Sequence, residues 1–186
     1  MSHFEYVSVA YALIYALAVG RLLGGLPLAM DASRRYWVHL IWILLLLLVT
    51  VMAWWVGWGS SEVIWTPLRF LLGLSLPALI FLRASVLLGN SSDPPDSYYD
   101  HFYETRVHFF ALGVAAAAVI IFLPWVYGST HWFTWAPIHL DAIGLLVISI
   151  VGMYSRSPTV HTAIAVLSLI SVAIAFFIIP VAKVAA

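Results

Sequence analysis

The 186-residue chain has no cysteine, so disulfides, thiolate zinc sites, iron–sulfur clusters and covalently attached c-type haem are excluded. It has no glutamine and a single asparagine, Asn90, which makes amide-lined polar cores scarce. Lysine occurs once, as Lys183 near the end, so a retinal Schiff base deep in a helix has no residue to form on. Charge is scant as well. Only 9% of residues are charged, and eight Lys and Arg balance eight Asp and Glu, so no net field marks a nucleic-acid binder. Thr-Val-Gly-Tyr-Gly, a serine elbow, a Gly-rich phosphate loop and His-Glu-x-x-His are all missing, which argues against the familiar channel, hydrolase, nucleotide-binding and metalloprotease designs.

Apolar residues take the place of all these. They make up 64% of the chain and the mean hydropathy is +1.04, against about 45–50% apolar in a soluble domain. The class is an all-α polytopic membrane protein. A membrane helix needs roughly 20 mostly apolar residues, and stretches near 5–29, 36–58, 64–88, 107–127, 137–154 and 158–182 meet or approach that length. They predict one transmembrane domain of six helices with short connections, except for a central loop over 89–105. The N-terminal Met1-Ser2-His3-Phe4-Glu5 lacks a positive region and a cleavage site, so no signal peptide is expected.

The distribution of arginine predicts orientation. Arg34, Arg35, Arg83, Arg106 and Arg156, with Arg21 nearest, fall toward the 31–35, 89–105 and 155–157 loops, and only Arg69 and Lys183 fall opposite. The Arg-rich loops are therefore expected in the cytoplasm and both termini outside. Tryptophan clusters on the outer side, with Trp54, Trp55, Trp58 and Trp65 around one turn and Trp125, Trp132 and Trp135 around another. The cluster reads either as an interfacial belt or as an aromatic pocket for a ring-bearing or cationic ligand.

The long central loop divides the chain into two sets of three spans, an arrangement that permits inverted halves. Ala12, Ala16, Gly20 and Gly24 form a small-residue face in the first span, and Gly113 and Ala115 to Ala118 recur in the fourth. Ser97 with Asp100 resembles a capping box opening the fourth helix, and Pro77 is expected to kink the third.

Ionisable residues inside a bilayer are functional candidates by default. Arg21, Arg69 and Asp141 lie within the predicted spans, and an Arg69–Asp141 pair would ease the desolvation of both. His101, Glu104 and His108 share a helical face and form a candidate metal cluster, for iron, zinc or manganese. His39 and His161 lie about one turn inside the same boundary on different helices and are candidate axial ligands for a haem. The residues do not name a cofactor.

The run Tyr15-Ala16-Leu17-Ala18-Val19-Gly20-Arg21-Leu22-Leu23-Gly24-Gly25-Leu26, with Tyr36-Trp37-Val38-His39, Trp54-Trp55, Tyr98-Tyr99-Asp100 and Arg106-Val107-His108-Phe109-Phe110, resembles a set of small bacterial six-helix membrane proteins that carry no assigned function. The resemblance covers roughly the first 110 residues. It implies a bacterial inner-membrane address and brings no activity or site residue.

The expected function is a small channel or transporter for an ion or small solute, acting as a homo-oligomer. The alternatives are a non-catalytic membrane subunit that holds a lipid, quinone or pigment, and a haem- or metal-dependent enzyme or sensor. The lipid bilayer and a second copy or membrane partner are the expected associates, and no nucleic acid is.

Overall fold

The computed structural model describes residues 3–57, 63–90, 92–128 and 137–184. Among the described residues the chain is all helical, with α1 His3–Met30, α2 Trp37–Gly57, α3 Pro67–Gly73, α4 Ser75–Leu88, α5 Tyr98–Val126, α6 Pro137–Tyr154 and α7 Pro158–Val184. Five stretches are long and apolar enough to cross a membrane: Phe4–Met30, Trp37–Gly57, Pro67–Leu88, Tyr98–Val126 and Pro158–Phe177. The apolar stretch Leu140–Tyr154 is shorter.

Local chemistry sets the boundaries. Thr66 caps α3 by accepting the Arg69 amide at 3.3 Å, and Pro67 opens the helix where a missing N–H costs nothing. Ser97 caps α5 in the same way, accepting the Asp100 amide at 3.3 Å. This cap starts α5 well before residue 107, so the central connection is shorter than the loop expected over 89–105. The third span breaks at Leu74, between α3 and α4. Pro77 has no N–H for the carbonyl four residues back, which belongs to Gly73, so the ladder opens where α3 ends.

The helices close into a ring in which α1 contacts α2, α2 contacts α7, α7 contacts α6, α6 contacts α5, α5 contacts α4 and α4 returns to α1. Helix α2 also reaches α4 and α5 across the ring. The 31–36, 89–97 and 155–157 connections gather at one end, called here the Arg-rich end. Most of the buried core lies in that half: Trp42, Leu46, Leu87, Tyr98, Phe102, Phe109, Phe110 and Ile164 form one cluster. A smaller cluster of Tyr15, Ala18 and Ile80 lies elsewhere in the bundle. The outer surface is apolar, with Leu17, Val51, Leu71, Leu82, Phe122, Val147 and Phe177 exposed. A helix that buries little and shows aliphatic side chains outward has lipid as its natural surroundings.

Candidate functional site

A layer of polar groups lies about one and a half turns inside the Arg-rich end, between α2, α4, α5 and α6. Trp42 is five residues into α2, while Arg83 and Ser149 stand five residues before the ends of α4 and α6. Arg83 is only 4% exposed, and Trp42 and Ser149 are buried. The guanidinium carbon of Arg83 sits over the Phe109 ring at 4.5 Å from its centroid and 6.0 Å from that of Trp42, within cation–π range. Arg83 Nε and Nη2, Trp42 Nε1 and Ser149 Oγ are all buried without a hydrogen-bond partner. Gly113 of α5 completes the layer: a Cβ there would overlap Ser149 Oγ and come within 3.5 Å of Arg83 Nη2. Burying an unpaired neutral polar group costs about 1–3 kcal/mol and a charged one more. Four such atoms in one layer make a site that calls for a ligand.

Sequence reasoning placed Arg83 with the loop-side arginines that set orientation. It lies instead inside the bundle, so it leaves that count, and it is the main functional residue the sequence reading missed. The available signal was its helical face, where Ile80 and Leu87, three before and four after, are both core residues.

Just beyond this layer the end of α4 is capped by three other helices. The last carbonyls of a helix have no partner of their own. Here His39 Nε2 donates to Leu87 O at 2.8 Å, His101 Nε2 donates to Val86 O at 3.1 Å, and Arg21 Nη2 donates to Gly89 O. Gly89, at φ +68°, turns the chain out of the helix. The end of α6 is treated alike: Arg106 Nε and His161 Nε2 both donate to Ser155 O, at 3.2 and 3.1 Å.

These contacts give the sequence-predicted histidines other occupations. His39 and His161 are fully buried, against Tyr98 and Phe110 respectively. Each commits Nε2–H to a carbonyl, which leaves only Nδ1, facing apolar neighbours, as an unpaired ring nitrogen. In the proposed metal cluster, His101 is held at Val86 while Glu104 and His108 are exposed. No group of three His, Cys, Asp or Glu able to hold a metal forms among the described residues. His101 and Glu104 do line a water-facing cavity of about 360 Å³ in the connection after α4, together with Asp93, Asp96 and Asp100.

The opposite end holds Arg69, Asp141 and the tryptophans. Arg69 Nη1 donates to Ile64 O at 2.7 Å, and Asp141 accepts the Ser171 hydroxyl at 2.9 Å on an exposed face of α6 and α7. The structure gives the two residues separate partners. Tyr11 and Tyr127 hydroxyls meet at 3.1 Å beside Gly73. Trp65 packs edge-on to both tyrosines, while Trp54 meets Tyr15 beside a small cavity of about 50 Å³. Trp55 is exposed. Trp58, Trp132 and Trp135 lie outside the described residues.

Comparison of the chain with protein-family models, with curated proteins and with solved structures finds no match. The polar layer has to be interpreted from its own chemistry.

Proposed function

We propose that the chain is a small integral membrane channel or transporter that moves an ion or small solute, and that it works as a homo-oligomer in a bacterial inner membrane. The observation that carries this reading is Arg83, a charge in the bundle interior whose Nε and Nη2 have no protein partner. Intramembrane charges are costly and are characteristic of ion and substrate pathways. Polar groups also recur along α3 and α4, from Arg69 through the Tyr11–Tyr127 pair at Gly73 and the Arg83 layer to the capped end at Gly89. Twenty residues at about 1.5 Å each span roughly 30 Å, the thickness of a hydrocarbon core.

Orientation follows from the arginines outside the interior layer. With Arg83 removed from the count, Arg21, Arg34, Arg35, Arg106 and Arg156 still mark the Arg-rich end as cytoplasmic, with the termini outside. Two surface features support self-association. Ala16, Gly20 and Gly24 present a small-residue face outward on α1, and the exposed Asp141–Ser171 pair places a carboxylate on the apolar exterior. The reading does not require the two halves to be inverted copies. Exchanging them would match the α4–α5 contact with one between α7 and α1, which is not among the substantial contacts of the described residues.

Proteoliposome flux tests the function. Reconstituted protein should pass ions or a small solute faster than empty liposomes, and Arg83→Gln should remove most of the excess. Flux equal to empty liposomes under several ions and potentials, with co-purification of a stoichiometric partner, would instead make the chain a non-catalytic subunit of a membrane complex.

A further inference from the structure

We propose that Arg83 and Ser149, which both come close to Gly113, bind a small monovalent inorganic anion inside the bundle together with Trp42, whose ring lies beside Arg83. As a substrate site this deepens the transport reading and rests on it, whereas binding itself is measurable without transport.

The donor inventory selects the sign of the ligand. Arg83 Nε and Nη2 and Trp42 Nε1 can only donate, and the Ser149 hydroxyl can donate as well. All four atoms are buried and unpaired. The guanidinium lies against the Phe109 and Trp42 rings, which stabilise its charge but accept no hydrogen bond from Nε or Nη2. A set of buried, unpaired donors that includes a charged guanidinium asks for a negative acceptor. A single water would meet some of the hydrogen bonds and leave the charge uncompensated.

Gly113 selects the size. A Cβ there would overlap Ser149 Oγ and lie 3.5 Å from Arg83 Nη2, so both donors come close to the same point of α5. Packing this close between α4, α5 and α6 leaves no room for an organic carboxylate or phosphate, so the ligand is a small ion such as a halide. The site also explains why these atoms sit together in an otherwise apolar layer. Arg83 is held by Phe109, Trp42 comes from α2, and Ser149 comes from α6, so the anion would join four helices at one point.

The test is thermal unfolding of the full-length protein in detergent, at constant ionic strength, with gluconate replaced stepwise by chloride or bromide. A ligand that binds only the folded state raises the midpoint in a saturable way. The expected result is such a rise for the wild type, an apparent affinity about tenfold weaker for Ser149→Ala and Trp42→Phe, and no halide effect for Arg83→Gln. If Arg83→Gln fails to fold, Ser149→Ala decides, because it removes one hydroxyl and leaves the charge and the packing in place. A wild type indifferent to halide overturns the proposal, and water then fills the layer. An equal halide response in the wild type and Ser149→Ala overturns it too. Halide binding without flux keeps the site and removes the transport reading, whereas flux without halide binding removes the site.

Discussion

The guanidinium carbon of Arg83 stands 4.5 Å from the centroid of the Phe109 ring, in the interior of a bundle whose exterior is apolar. The arginine belongs to α4 and the ring to α5, so the contact fixes one helix against the other. An aromatic face offsets part of the charge but gives no hydrogen bond to Nε or Nη2. The folded state therefore carries an incompletely compensated cation.

Replacing it with an apolar side chain of similar length should help the fold and harm the function. In gluconate, Arg83→Met is expected to raise stability by about 1–4 kcal/mol, the range found when buried charges give way to packed apolar groups. Flux should fall at the same time. Phe109→Leu should destabilise the wild type more than it destabilises the Arg83→Met background, with a coupling of about 1 kcal/mol from the lost cation–π contact. Thermal melts of the four proteins measure that coupling. An Arg83→Met protein that melts well below the wild type would show that Arg83 is compensated in a way its unpaired nitrogens do not reveal.

The caps on α4 lead to a second prediction. His39 is fully buried and its Nε2–H serves Leu87 O. His39→Ala should cost about 1–3 kcal/mol for the orphaned carbonyl alone, with more for the vacated space beside Tyr98. His39→Gln keeps an N–H donor and should recover part of the loss. His108→Ala, at an exposed position, should stay within about 0.5 kcal/mol of the wild type. Denaturation midpoints with and without a chelator distinguish this capping role from a ligand role, because a metal held by His39 would make the wild type sensitive to the chelator.

The all-helical class, with helices long and apolar enough to cross a membrane, was legible because hydropathy reports directly on the solvent a segment prefers. The cap at Ser97 and the opening of the ladder ahead of Pro77 were legible for a similar reason, since both act through bonds within one turn. The polar layer was not. Arg83 reads as a loop-side arginine until α5 and α6 are placed against α4, because the apolar Ile80 and Leu87 on its face do not by themselves say whether a side chain near a helix end turns out to water or in to a neighbour. Ser149 and Trp42 look ordinary for the same reason. The histidines read as ligands because they share a boundary level, and only the tertiary arrangement shows that the carbonyl ends of α4 and α6 lie at that level too.

Two adjacent glycines on α1 make a third prediction with opposite outcomes. A Cβ on Gly25 would lie 2.6 Å from a terminal carbon of Leu88, whereas Gly24 faces open space. Gly25→Ala should therefore lower the melting midpoint through strain at the α1–α4 contact, by roughly 1–3 kcal/mol, while Gly24→Ala, in open space inside a helix, should raise it by about 0.5–1 kcal/mol. If the outward small-residue face is where copies meet, Gly24→Leu should weaken oligomers in cross-linking or size-exclusion measurements without unfolding the chain. Retention of the oligomer in Gly24→Leu would move the interface to another face, with the exposed Asp141–Ser171 pair the next surface to alter.

The fourth prediction concerns Gly73, the last residue of α3, at the break before α4. A Cβ there would fall on the Tyr11 hydroxyl and stand 2.5 Å from the Tyr127 hydroxyl, so the glycine leaves room for the pair that ties α1 to the end of α5. Gly73→Ala should destabilise the protein by about 1–3 kcal/mol through overpacking. Tyr11→Phe alone should cost about 1 kcal/mol, because it leaves the Tyr127 hydroxyl without its partner. Combined with Gly73→Ala, however, Tyr11→Phe should restore part of the lost stability, since it removes the atom the new methyl meets first. Rescue should remain incomplete because the Tyr127 hydroxyl would still lie 2.5 Å, and the Tyr11 ring carbon 3.0 Å, from the new Cβ. Melts of the double mutant against both single mutants test this. Strictly additive losses would mean that the methyl is accommodated by movement of α3 at the Leu74 break and not by collision with the tyrosine pair.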